Sequence, residues 1–139
     1  MDTYHGTSKK YAAQLQAGMV DVTKGGGELG RGFYTGEHLY LAKAWAYHVS
    51  GDAQQNVVHF EKSDSDVMAL RLEVLGVGEA ALRRKHIKLW SATRSYQFGV
   101  DMVWAPIVGS SRVKGDQCKW ESDVAQAFLN GSKCVRNIV

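Results

Sequence analysis

Proline is nearly absent from this chain of 139 residues, occurring once, at Pro106, and cysteine occurs only at Cys118 and Cys134. Two cysteines are too few for a disulfide framework or a structural zinc site; two ordinary buried thiols are expected, with one bridge between them as the alternative. No apolar run approaches the roughly twenty residues that a membrane-spanning helix needs, and no membrane partner is expected. Met1 to Thr7 has neither the basic start nor the apolar stretch of a secretory signal peptide, which points to a cytoplasmic protein or to an effector delivered without one. Neither sign of charge dominates. The 17 Lys and Arg against 14 Asp and Glu leave a net charge of +3, which permits a nucleic-acid partner without arguing for one.

Several familiar fingerprints are missing as well. Gly25-Gly26-Gly27 and Gly30-Arg31-Gly32 lack the strand–turn–helix frame of a dinucleotide or phosphate loop. His38, His48, His59 and His86 show no paired metal-ligand spacing with cysteine or acidic residues, so no metal is expected. No Gly-x-Ser-x-Gly occurs. The basic cluster Arg83-Arg84-Lys85-His86, with Lys88 and Trp90, reads as a solvated helix face or as a contact surface for nucleic acid or an acidic target.

What the chain does have is enough apolar residues, 45% with four Trp, to bury a core in a single domain spanning 1–139. Taken in order, Thr3 to Thr7 reads as a strand ending in a turn. Ser8 is an N-cap, and a helix follows from Lys9 to Ala17, closed by Gly18. Residues 20–30 form a polar, glycine-rich stretch expected to be a mobile loop. Gly32 to Thr35 is a short strand, and Glu37 to Val49 a helix with Leu39, Leu41, Ala42, Trp45, Ala46 and Val49 on its apolar face. Strands are expected at Val57–Phe60, Val67–Leu75, Gly99–Trp104, Gln117–Trp120 and Cys134–Val139, with a polar turn over Glu61–Asp66. Short helices are expected at Gly76–Lys85 and Ser122–Leu129. Short strands separated by single helices or loops predict an α+β fold with a largely antiparallel, split sheet.

Two groups of residues suggest chemistry. A lone strand histidine is more often structural than catalytic, but His5 is followed by Gly6, whose missing side chain leaves its backbone N–H and C=O open to a ligand. A ring nitrogen of His5 can fix a ribose hydroxyl, while the Gly6 backbone pairs with a planar amide. Tyr34 and Trp45 are spaced by a strand, a turn and two helical turns. Facing each other, they would sandwich a flat cationic ring; otherwise both simply pack in the core.

Taken together, Tyr4-His5-Gly6-Thr7, a helix, a glycine loop, Gly32-Phe33-Tyr34-Thr35 and an Ala-rich segment ending in Trp45 resemble the catalytic domain of diphtheria toxin and its relatives. These are the ADP-ribosyltransferases with a His–Tyr–Glu triad, a class that includes the poly-ADP-ribose polymerases. The resemblance covers the first 46 residues well and about the last 40 loosely. It implies split antiparallel β-sheets that form an NAD cleft, flanked by short helices. It implies that His5 contacts the adenosine-side ribose, that Gly6 binds the nicotinamide amide, and that Tyr34 and Trp45 stack on the nicotinamide ring. Thr7 and Gly32 would line the dinucleotide. In the third motif Gln117 falls where the family has its catalytic Glu, with Asp116 ranked second and Glu121 a weaker competitor. Strand alternation would turn Cys118 and Trp120 to the core and Gln117 and Lys119 to the cleft.

A glutamine there keeps a hydrogen bond to the ribose 2′-OH and lacks the charge that stabilises the cationic ribosyl centre. The activity implied is therefore mono-ADP-ribosylation, with NAD as substrate and a protein or nucleic acid as acceptor. Size and family analogy imply the toxin of a toxin–antitoxin pair, or a small effector, with an antitoxin or immunity protein as its companion. The alternatives are an NAD glycohydrolase and a non-catalytic module that binds NAD, ADP-ribose or a partner protein.

Overall fold

Residues 1–52 and 54–139 are described in a computed structural model of the chain. Their elements run β1 (Asp2–Gly6), α1 (Lys9–Gln16), β2 (Phe33–Gly36), α2 (Leu39–Ser50), β3 (Val57–Lys62), α3 (Asp64–Met68), β4 (Leu72–Val74), α4 (Val77–Leu89), β5 (Met102–Pro106), β6 (Asp116–Trp120), α5 (Asp123–Asn130) and β7 (Cys134–Ile138). The β1–β2, β1–β3, β3–β7 and β5–β6 pairings are antiparallel and the β4–β5 pairing is parallel, so the class is α+β with mixed pairing. The chain divides into two compact units, each assembled from separate segments.

The first unit comprises Met1–Val20, Thr35–Ala69 and Ala127–Val139. Its central strand is β1, which pairs along its whole length with β3, Tyr4 lying opposite His59 and Gly6 opposite Val57. On its other side Tyr4 lies opposite Gly36 of β2, and β7 pairs with the free edge of β3. Helix α1 starts where Ser8 Oγ accepts the Tyr11 N–H at 3.3 Å, and it buries Ala12 and Leu15 while Tyr11 stays exposed. Helix α2 lies on β1 through Ala42 and Ala46, which cluster with Val57 and Tyr4. Its larger apolar residues, Leu39, Trp45 and Val49, are exposed, so its buried stripe is narrower than the sequence pattern suggests. After β3 the expected turn is a helix. Ser63 Oγ accepts the Asp66 N–H at 3.1 Å, and Asp64 and Asp66 place negative charge in the first turn of α3. Val67 and Met68 belong to that helix, which shortens the expected strand to Leu72–Val74.

The second unit comprises Asp21–Tyr34 and Leu70–Gln126. Strands β4 and β5 run parallel with α4 as their crossover, and β6 returns antiparallel to β5 with Ala105 opposite Gln117. Pro106 is the last residue of β5, opposite Asp116. The core gathers Leu29, Leu75, Ala80, Val103 and Ala105, with Tyr34, Phe98, Val100 and Val108 packed around it. Leu29 belongs to the glycine-rich stretch expected to be a mobile loop. That stretch is instead packed and bonded: Gly27 N–H donates to Thr93 O at 3.1 Å and Arg31 N–H to Tyr96 O at 2.9 Å. Gly30 has φ +91°, and a Cβ there would meet Tyr96 O at 2.3 Å, so both the backbone turn and the close approach require glycine. Cys118 and Cys134 are separate buried thiols, as expected. No helix among the described residues is long and apolar enough to cross a membrane.

Candidate active site

Four of the residues singled out from the sequence, His5, Gly6, Thr7 and Trp45, lie in the first unit. Gly32, Tyr34 and Gln117 lie in the second. In the first unit, β1 carries His5 opposite Val58, and Thr7 just beyond the strand donates its N–H to Asn56 O at 2.8 Å. The reason for glycine at position 6 is visible. A Cβ there would sit 2.1 Å from Ala42 O and 3.2 Å from Ala46 Cβ, so the space of its missing side chain is taken by α2. Trp45 points away from that contact, is 59% exposed and tilts against His48 with ring centroids 5.8 Å apart. The indole beside this histidine is one of three exposed Trp and Tyr side chains on the helix, with Tyr40 and Tyr47.

In the second unit the glycine-rich loop holds Tyr34 through the backbone of Leu29 and Gly30, and Gln117 through the carboxylate of Glu28. Tyr34 Oη donates to Gly30 O at 2.6 Å and accepts the Leu29 N–H at 3.1 Å, which fastens the phenol to the loop that carries Glu28. The ring lies against Gly27, where a Cβ would meet Tyr34 Cζ at 2.8 Å. Burial pushes the Tyr34 phenol far above its ordinary pKa. The Leu29 N–H works against that shift, and the charges of Glu28 and Glu121 add to it. Gln117 is buried in β6, and its Nε2 donates to Glu28 Oε1 at 2.5 Å and to Pro106 O at 3.4 Å. Both partners are acceptors, which fixes the amide orientation and leaves Oε1 as its acceptor atom.

Glu28 Oε1 also accepts the Val108 N–H at 2.9 Å. Its Oε2 has only a 3.8 Å ion pair with Arg84 Nε among the described residues. Gly109 borders the same oxygen closely, since a Cβ there would stand 2.4 Å from it. Sequence reading passed over Glu28 because nothing local marks it. It is one polar residue in a polar loop, and its partners come from residues 84–117.

The rest of β6 departs from the expected two-faced pattern. Gln117, Cys118, Lys119 and Trp120 are all buried, so the strand is covered on both sides. Lys119 does not face an open cleft. Its ammonium pairs with the Glu121 carboxylate and lies 4.8 Å from the Phe98 ring centroid, and its stem covers Gly32, where a Cβ would meet Lys119 Cδ at 2.4 Å. Burial lowers the Lys119 pKa against the opposing pull of Glu121, and Arg31 lowers it further.

The two competitors for the third motif have structural employment. Asp116 Oδ2 accepts the Trp104 Nε1–H at 3.1 Å. Glu121, wholly buried, accepts the N–H groups of Phe98, Gly99 and Val100 at 2.7, 2.8 and 3.2 Å. The basic cluster is partly engaged too: Arg83 donates to Tyr96 Oη at 2.6 Å and covers Phe98, while His86 stacks on exposed Trp90. Among the described residues, no group of three His, Cys, Asp or Glu side chains could hold a metal ion. No protein-family model matches this chain, and no curated protein matches it.

Proposed function

We propose that this protein is an NAD-dependent mono-ADP-ribosyltransferase, a small toxin or effector that moves ADP-ribose to a protein or nucleic-acid acceptor. In this reading Tyr34 and Trp45 hold the nicotinamide, Gly6 orients its amide through the backbone, and His5 anchors the ribose. Thr7 and Gly32 line the dinucleotide. Gln117 contacts the reacting ribose as the nicotinamide–ribose bond stretches, and the acceptor then attacks C1′ of that ribose. Holding the two reactants close would supply much of the rate.

The observation that carries this reading is that Tyr34 and Gln117 are bonded to the same short stretch of the glycine-rich loop, Tyr34 to the backbone of Leu29 and Gly30 and Gln117 to the Glu28 carboxylate. Tyr34 belongs to the second motif of the resemblance and Gln117 to the third. They are far apart in sequence, and a chance match of short motifs gives no reason for them to share a neighbour. A strand histidine beside α2, carrying the exposed Trp45, supports the same reading from the first motif.

The test is incubation of the purified protein with NAD labelled in the adenylate, following nicotinamide release and label on macromolecules of a cell lysate. His5→Ala runs beside it. Transfer predicts release plus labelling, both lost in His5→Ala, and protease or nuclease sensitivity then gives the acceptor class. Release without labelling would make the protein a glycohydrolase, and the absence of both NAD binding and release would sink the reading altogether.

A further inference from the structure

Deepening that reading and resting on it, we propose that Glu28 is the catalytic carboxylate, supplied from the glycine-rich loop to a site whose strand position holds only an amide. Position 117 cannot carry charge, yet its side chain is bonded at 2.5 Å to a group that does. The two oxygens of Glu28 divide the work. Oε1 is consumed by Val108 N–H and Gln117 Nε2, which lock the carboxylate to β6 and to the chain beyond β5. Oε2 keeps unused lone pairs, since Arg84 Nε stands 3.8 Å away.

Gln117 completes the arrangement. Its Nε2 is spent on Glu28 and Pro106 O, so its Oε1 is the atom left to accept a ribose hydroxyl. A ribose held there lies next to the Glu28 charge.

The chemistry balances with NAD and the acceptor alone. The bond from C1′ to the nicotinamide nitrogen breaks, and its electron pair leaves with nicotinamide. Positive charge develops on the ribosyl carbon, and the Glu28 carboxylate stabilises it. A lone pair of an acceptor O–H or N–H group forms the new bond to C1′. The proton released by that group passes to Glu28 Oε2 and then to solvent.

The experiment measures nicotinamide release by the full chain across NAD concentrations for wild type, Glu28→Gln and the exchange variant Glu28→Gln/Gln117→Glu, with NAD binding and urea unfolding in parallel. Glu28→Gln keeps an acceptor for Val108 N–H and Gln117 Nε2, so it should fold. Its kcat is expected to fall by about 10²–10³-fold, with KM and the unfolding midpoint nearly unchanged. The exchange variant returns a carboxylate to the pair and should recover kcat to within about tenfold of wild type; it also serves if the single variant does not fold. A Glu28→Gln enzyme within about threefold of wild type overturns the proposal while the transferase reading stands. So does a wild type that binds NAD without releasing nicotinamide. Failure of the wild type both to bind and to cleave NAD removes the reading beneath it.

Discussion

Gly6 shows how one absent side chain can be explained twice. As a ligand-facing residue it would leave its backbone open, but in the fold its missing Cβ is where α2 crosses β1. The Gly6→Ala side chain would have to displace backbone at Ala42, and not a flexible side-chain tip. Overpacking of this kind costs about 1–3 kcal/mol. Gly6→Ala is therefore expected to lower the free energy of unfolding by that amount, and the urea midpoint with it, and an unchanged midpoint would mean α2 does not sit on this residue. Glu121 and Lys119 are the second residue-scale case. Glu121→Ala strands a buried ammonium and frees three backbone N–H groups, at a cost of about 3–5 kcal/mol. Lys119→Met leaves Glu121 with those three donors and should cost less. Equal losses in the two variants, measured by chemical unfolding, would show that the N–H groups do not stabilise the carboxylate.

Elements were legible in the sequence where one local signal sufficed. Ser8 announced α1, and the run Thr3 to Thr7 announced β1 to within a residue at each end. Helix α3 was missed although its signal is local: Ser63 followed by Asp64 and Asp66 is a cap and an acidic first turn, read instead as a polar turn. The glycine loop is a different case. Its composition is that of a flexible segment, and what packs it is Thr93, Arg94, Tyr96 and Val108, which no window along the chain can contain. Glu28 was invisible for the same reason. Strand β6 misled because period-two alternation identifies a buried face only when the other face meets water, and here it meets Phe98, Gly32 and the loop. Residue types were thus readable at the candidate site, and their neighbours were not.

For the molecule as a whole, acid should weaken the fold partly through Asp101. Its buried carboxylate accepts Ser122 Oγ–H at 2.6 Å and Arg71 N–H at 2.8 Å, with the Arg71 guanidinium at 3.4 Å. Burial works to raise its pKa, but these bonds and the Arg71 charge prevail and hold it below the ordinary 3.8. A carboxylate whose folded pKa lies below the unfolded one contributes its full stability above 3.8 and loses it as pH falls through the folded value. Asp101→Asn should cost about 1–3 kcal/mol at neutral pH and flatten the stability curve below pH 4 relative to wild type. Parallel curves for the two proteins would remove Asp101 from the acid response.

The discontinuous make-up of the first unit also sets an order of events during synthesis. Its chain leaves after Val20, returns at Thr35, leaves again after Ala69 and returns at Ala127. The ladder of β4, β5 and β6 has all its strands once the ribosome has passed Trp120, with their crossover helix already made. The edge of β3 that β7 will cover has been made long before, and its hydrogen-bonding groups from Val58 to Lys62 stay without their strand partner until Cys134 to Ile138 emerge. A nascent chain therefore carries an open, apolar strand edge from the making of β3 until β7 emerges, the stage at which edge-to-edge association between neighbouring chains is easiest.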